Sequence, residues 1–268
     1  MESAMADPTT KEKVLEENRR VHALENRLYL SRHPEQTNFF QKSILERTLN
    51  EVCADLKTDS EILDLGCGTG YLSLGFLSRG YRLTGLDLSR EMIRAFEDSI
   101  PATLKPQAHL VVGDAEEFLT QNQDEFDVIV LSAILHHLFD YESVLRKICA
   151  RLSSGKKLLV FFEPLKQEVQ SPIRFALHRM LSWLDEKLYR FEMKVRKIPV
   201  LDDEFPHADY QRQFGGIDPA RVREILRDEG LEVLQIEKYC ARRYGLHAWL
   251  ANRVLKTQNT FNLLATRP

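Results

Sequence analysis

The nine residues 62–70, ILDLGCGTG, constrain this chain more than any other stretch. An apolar run that reads as a buried strand breaks into glycine at the alternate positions 66, 68 and 70. Without a Cβ, glycine lets the main chain turn sharply and lets a ligand approach it closely. Open α/β sheets bind their ligands at this place, beyond the carboxyl end of the first strand. Four further apolar runs follow, YRLTGLD, AHLVVGD, FDVIVLS and KKLLVFFEP, each separated from the next by a helical or turn-rich stretch. Such alternation predicts βαβ units and a parallel sheet.

The intervening helices are legible from their apolar spacing. Met92, Ile93 and Phe96 share one face of a helix starting near Ser89. Val144, Leu145, Ile148 and Leu152 share another that Gly155 ends. Asp218 and Pro219 read as the N-cap and first turn of a later helix, after which LEVLQIEKY and NTFNLLATR supply a sixth and a seventh strand. The expected fold is therefore α/β: a Rossmann-like, seven-stranded, mostly parallel sheet with helices on both faces.

Two regions stand outside this alternation. Residues 1–58 carry helical patterns interrupted at Pro34 and predict an N-terminal helical cap before a domain covering 59–268. Within that domain an insert at 165–214 contains a long helical pattern from Pro172 to Ile198, and a second helix-like insert spans 240–256. Seven Lys/Arg face three acids between 172 and 198, and four face none between 240 and 256, so each of these two segments carries +4 in a chain of net charge −3. Both inserts hold one of the two tryptophans, Trp183 and Trp249. An apolar stripe with a basic rim suits a lid over an amphipathic or anionic acceptor, with both tryptophans lining its apolar part. It equally suits a peripheral contact with a membrane, or a pair of ordinary packed helices.

Composition sets the outer limits. With 268 residues, 43% hydrophobic and 29% charged, the chain can bury a core and is not disordered throughout. The slight negative balance gives no global field for holding nucleic acid. Cys53, Cys67, Cys149 and Cys240 form no CxxC pair, which fits a reducing compartment and predicts no metal site of that kind. The N-terminus shows no basic segment followed by an apolar one, so a cytoplasmic location is expected.

The ligand at the glycine loop can be narrowed. A dinucleotide fingerprint needs glycine at 71, where Tyr71 stands, and no lysine follows Gly70 as a P-loop would require. The second strand ends in Asp87, 21 residues after Gly66, where a carboxylate can accept both hydroxyls of a ribose. The third ends in Gly113 and Asp114, suited to the exocyclic amine of an adenine, with Met92 available to pack on the ring. Each acid could instead serve as a helix cap.

On these residues the chain resembles the class I S-adenosylmethionine-dependent methyltransferases, in particular their small-molecule branch of type 11. The resemblance covers about residues 60 to 165. It implies S-adenosyl-L-methionine as cofactor, with Asp64, Gly66, Cys67, Gly68 and Gly70 around its methionine part, Asp87 and Leu88 at the ribose, Met92, Asp114 and Ala115 at the adenine, and Ser132 nearby. Methyl transfer to a small, amphipathic or lipid-like acceptor is the implied activity. A catalytically idle cofactor-binding or scaffold protein of the same fold is the alternative.

Strand four runs into Ser132, Ala133, Ile134, Leu135, His136 and His137. Imidazoles there could take a hydroxyl proton, which favours oxygen as the acceptor atom; Glu163, ending strand five, is a further candidate base. Ser132 occupies the place of the metal-binding aspartate of catechol-type enzymes, and no metal is expected.

Overall fold

The computed structural model describes residues 8–25, 28–165, 171–200, 205 and 207–268. Residues 1–7, 26 and 27 of the expected cap, and 166–170, 201–204 and 206 of the expected first insert, lie outside them.

Seven strands form one sheet in the order β3-β2-β1-β4-β5-β7-β6. Strands β1 (Glu61–Leu65), β2 (Arg82–Asp87), β3 (Ala108–Val112), β4 (Val128–Ser132) and β5 (Lys157–Pro164) pair in parallel. Strand β7 (Thr260–Thr266) runs antiparallel between β5 and β6 (Glu232–Tyr239). The chain reverses its direction of winding between β1 and β4, and the crevice at that switch point is where a ligand is held.

Alternation along each buried strand feeds two cores. Ile62, Val128, Val130, Leu159 and Phe161 join one face with α4 (Phe39–Cys53), α5 (Ser73–Leu77) and α6 (Arg90–Ser99). Leu63, Leu65, Ile129, Leu131, Leu158 and Val160 join the other with α7 (Ala115–Gln121), α8 (Tyr141–Arg151) and α10 (Pro219–Asp228). Central strands covered on both faces must be apolar on both sides, and these are. Caps fall on residues suited to them: Asn38 accepts from Phe40 and Gln41, Ser89 from Met92, and Asp114 from Glu117.

Ahead of β1 the chain forms α1 (Pro8–Glu25), α2 (Tyr29–Arg32), α3 (Pro34–Thr37) and α4. Pro34 opens α3 rather than merely interrupting a helix, because its fixed φ suits a first turn. Helix α9 (Pro172–Arg196) ends two residues earlier than its periodicity suggests, at Lys197 in the left-handed conformation. In the second insert the helix α11 begins only at Gly245 and runs to Leu250, continuing as a π turn over Ala251–Leu255.

The orientation of α9 departs from expectation. Its inward face mixes apolar and ionic contacts: Leu181, Tyr189 and Met193 are buried on it, Asp185 meets Arg242 at 2.8 Å and His247 at 2.5 Å, Glu186 meets Arg243 at 2.5 Å, and Glu192 accepts from Tyr244. Its apolar stripe points outward, with Ile173, Met180, Phe191 and Val195 each more than 60% exposed. Trp183 and Trp249 are 61% and 44% exposed and line neither of the two cavities at the carboxyl edge of the sheet, which corrects their placement around an acceptor. An ionic partner surface on residues 242–247 claimed the polar side of the helix.

Candidate functional site

Two cavities meet above the carboxyl ends of β1 and β4. The smaller, about 370 Å³, is lined by Gly66, Gly68, Asp87, Leu88, Met92, Asp114, Ala115 and Ser132, and so gathers eight of the eleven residues expected at the cofactor. The other three build it from below. Asp64 is buried and accepts from Ser73 Oγ at 2.6 Å; burial and the neighbouring Asp87 push its carboxyl up to about 7. Cys67 is buried with its sulfur against Gly85. At Gly70 (φ +82°) a Cβ would stand 2.1 Å from the Phe96 ring, so this glycine serves close packing.

Asp87 works on the protein before any ligand arrives. One oxygen accepts the Gly68 N–H and the other the Ser89 N–H, both at 2.8 Å, so the carboxylate ties the glycine loop to the start of α6. Burial raises its pKa. Asp114 caps α7 with one oxygen and still faces the cavity. These backbone bonds leave both acids lone pairs for a ligand, since a carboxylate oxygen has two.

Helix α1 closes this cavity from a direction that motif reading missed. Lys11, Val14, Asn18 and His22 line it, and Asn18 donates to the carbonyls of Val14 and His137. The Asn18 Oδ1 is buried without a hydrogen-bond partner in this wall. An unused acceptor and a loop whose Gly68 has no atom within 4 Å of a built Cβ fit an S-adenosylmethionine-sized ligand with hydrogen-bond donors. Residues 8–25 carry only helical periodicity, which marks a helix without showing what it covers.

The second cavity, about 830 Å³, lies beyond and is lined largely by charged and polar groups from α1, α2, α9 and residues 205–212. It shares His22, Tyr29, Ala133 and His137 with the first. His136 faces the second cavity alone. Its Nδ1 stands 2.9 Å from Glu163, and burial followed by Arg212 lowers its pKa to about 3. His137 bonds through Nδ1 to the Ala208 carbonyl at 2.6 Å, which makes that nitrogen the donor and leaves the lone pair on Nε2. Burial and the adjacent His136 lower its pKa as well.

Glu163 is fully buried and lines neither cavity. A register shift in β5, with Phe162 at φ +60°, swings it beneath the loop after β4, where Oε1 accepts the N–H groups of Ile134 and Leu135 at 2.6 and 2.8 Å. Burial pushes its pKa up to about 7. This placement corrects the expectation of a base: Glu163 reaches no acceptor and braces the loop that carries both histidines. His136, His137 and Asp209 bring one potential ligand atom each within 4.8 Å of one another. The Arg212 guanidinium, 3.0 Å from Asp209, already supplies positive charge there.

Residues 62–155 match the family model described as a methyltransferase domain. The ubiquinone biosynthesis O-methyltransferase of Aeromonas salmonicida is 31% identical over 124 residues, covering 42% of this chain and 50% of that protein. The chain thus spans about half the length of the curated relatives it matches. Among solved structures, the magnesium protoporphyrin IX methyltransferase of Synechocystis with bound cofactor aligns at TM-score 0.56 and 16% identity, covering all of both chains. The [4+2]-cyclase SpnF aligns at 0.54 and 19%, covering 83% of this chain and 81% of its own. Likenesses of that level establish a shared fold. Together with the glycine loop, Asp87 and Asp114 at three successive strand ends, the match identifies residues 62–155 as a methyltransferase domain.

Proposed function

We propose that the protein moves the methyl group of S-adenosylmethionine to a hydroxyl oxygen of a small acceptor whose polar end enters the larger cavity. The observation that carries this reading is the junction: a donor cavity and an acceptor cavity share His22, Tyr29, Ala133 and His137. The cofactor, when bound, supplies an electrophilic methyl on a positively charged sulfur. What the protein must add is alignment, exclusion of water and a place for the hydroxyl proton. His137 stands at the junction with its tautomer fixed by Ala208 and its ring held neutral by burial, the form that can accept a proton. His136 packs on it with ring centroids 4.0 Å apart, and Glu163 orients that pair through the loop.

The O-methyltransferases among the relatives support oxygen as the acceptor atom. A cyclase among the structural neighbours means that fold alone does not carry the activity. Labelled methyl from the cofactor should appear as an acid-stable ether on a hydroxylated acceptor, and His137→Ala should lower kcat about 10²-fold with cofactor affinity nearly held. Cofactor binding without turnover on any acceptor would favour the idle, cofactor-sensing alternative.

The outward face of α9 supports a second element of the reading, peripheral contact with an anionic membrane from the cytoplasmic side. Its apolar stripe is flanked by Lys187 and Lys194, and Asp185, Glu186 and Glu192 are engaged by Arg242, Arg243 and Tyr244. Leu246, Trp249 and Val254 of the second insert are likewise exposed. No helix among the described residues is long and apolar enough to cross a membrane. Co-sedimentation with phosphatidylglycerol vesicles should weaken by about 1 kcal/mol for each of these basic residues removed. Absence of vesicle binding by the parent protein refutes it.

A further inference from the structure

Four arginines line the acceptor cavity: Arg32, Arg190, Arg212 and Arg243. Three are paired with carboxylates of the protein. Arg190 bonds to Glu186 at 2.6 Å, Arg243 to the same carboxylate, and Arg212 to Asp209 at 3.0 Å. The imidazole of His33, also on the wall, sits between Glu25 and Glu35 at 2.8 and 2.9 Å, whose bonds outweigh its burial and hold its pKa up at about 10. Arg32 differs. It is 7% exposed, and among the described residues no carboxylate meets it. Its Nε donates to the Pro199 carbonyl at 3.2 Å and its Nη1 to the Leu24 carbonyl at 3.0 Å, while Nη2 has no protein partner among them.

A buried guanidinium held by neutral carbonyls is costly unless a negative group joins it. The two carbonyl bonds fix the plane of the fork, and a planar fork with a fixed orientation suits two parallel bonds to an oxyanion. Arg32 ends α2, the single helical turn that begins with Tyr29, and Tyr29 stands at the junction of the two cavities. Residues three apart on a helix are neighbours. The anion met by Arg32 and the hydroxyl placed at the junction therefore belong to one compact molecule.

Resting on the methyltransferase reading, we infer that the acceptor carries a carboxylate or phosphate group besides its reacting hydroxyl, and that Arg32 is the residue that selects for it. Lys11, Asp87 and the rest of the cofactor cavity take no part in this selection. The net effect is a specificity device placed one helical turn from the site of methyl transfer.

The test follows the Arg32 Nε–H resonance by NMR, assigned with Arg32→Lys, in the full chain loaded with S-adenosylhomocysteine. Benzoate and phenyl phosphate are titrated separately, with benzamide as the neutral control. A saturable shift with one or both anions and none with benzamide is expected, and which anion binds more tightly identifies the acceptor's group. In a parallel arm, transfer of labelled methyl to 3,4-dihydroxybenzoate is compared with transfer to 3,4-dihydroxybenzamide. The parent should prefer the acid by at least about tenfold in kcat/KM, the size of a charged hydrogen bond. Arg32→Gln should reduce the ratio to about one, while Arg32→Lys keeps part of it because the charge survives without the fork. An Arg32 resonance that ignores both anions, or a preference for the acid that survives Arg32→Gln, overturns the inference. Anion binding at Arg32 with no methyl transferred to any acceptor counts against the enzymatic reading and leaves the anion site standing.

Discussion

Replacing Glu163 by glutamine should change how stability depends on pH, and the structure gives the sign and the size. Glu163 is fully buried, and its pKa is raised from 4.5 to about 7. A folded-state value above the unfolded one means that the native protein holds a proton the unfolded chain has released. Between those two values stability falls as pH rises. From pH 5 to pH 8.5 the linkage integral for this one group amounts to about 2.5 kcal/mol of lost stability. Glutamine keeps the oxygen that accepts from Ile134 and Leu135 and cannot ionise, so its contribution is flat. Asp64, also raised to about 7, adds a similar slope to both proteins, so the informative quantity is the difference between them. Urea denaturation at several pH values should show the variant gaining on the parent by roughly 2 to 3 kcal/mol across that range. Parallel curves would mean that Glu163 titrates near its ordinary value, and the idea of a strained carboxylate beneath the histidine loop would fall. The same variant reads out positioning: an amide aimed at His136 Nδ1 favours the opposite tautomer, so any rise of kcat through neutral pH in the parent should be lost.

Other outcomes follow from the same coordinates. Asp87→Ala should weaken S-adenosylhomocysteine binding by about 1.5 to 3 kcal/mol, measured by calorimetry, through the lost diol contact and a loosened Gly68; an unchanged Kd removes Asp87 from the site. Gly70→Ala puts a methyl 2.1 Å from the buried Phe96 ring at a left-handed φ, and should cost about 2 kcal/mol or more in urea unfolding. Removing the α1 acceptor with Asn18→Ala should lower cofactor affinity by about 1 kcal/mol without altering the acceptor KM, and a KM change alone would place Asn18 in the other cavity.

How far the sequence could be read depended on the range over which each feature is encoded. The sheet was legible because each strand and its helix are neighbours in the chain, and the lining of the smaller cavity because three strand ends repeat one pattern of glycine or acid. The acceptor cavity is different in kind. His22, Tyr29 and Arg32 precede the first strand, Asp209 lies more than 170 residues later, and no local periodicity links them. Helix α9 shows why a stripe does not fix an orientation. Its spacing located the exposed apolar side, but which side meets the body was decided by Arg242 and Arg243, whose charges matched Asp185 and Glu186, and by His247, which bonds to Asp185. Glu163 was found as a polar residue at a strand end, while its sealing by a bulge at Phe162 is a property of the sheet register alone.

Ala133 stands on the wall common to both cavities with φ at +53°, a conformation that glycine adopts more cheaply. The side chain that this position sets between the two cavities is a single methyl group. A chain that put glycine here would relax the backbone and widen the aperture by the volume of a carbon. One with valine would pinch it and meet the steric penalty of a branched residue at positive φ. On the proposed reading the methyl group passes beside this side chain, so the residue at 133 ties the spacing of donor and acceptor to a backbone angle.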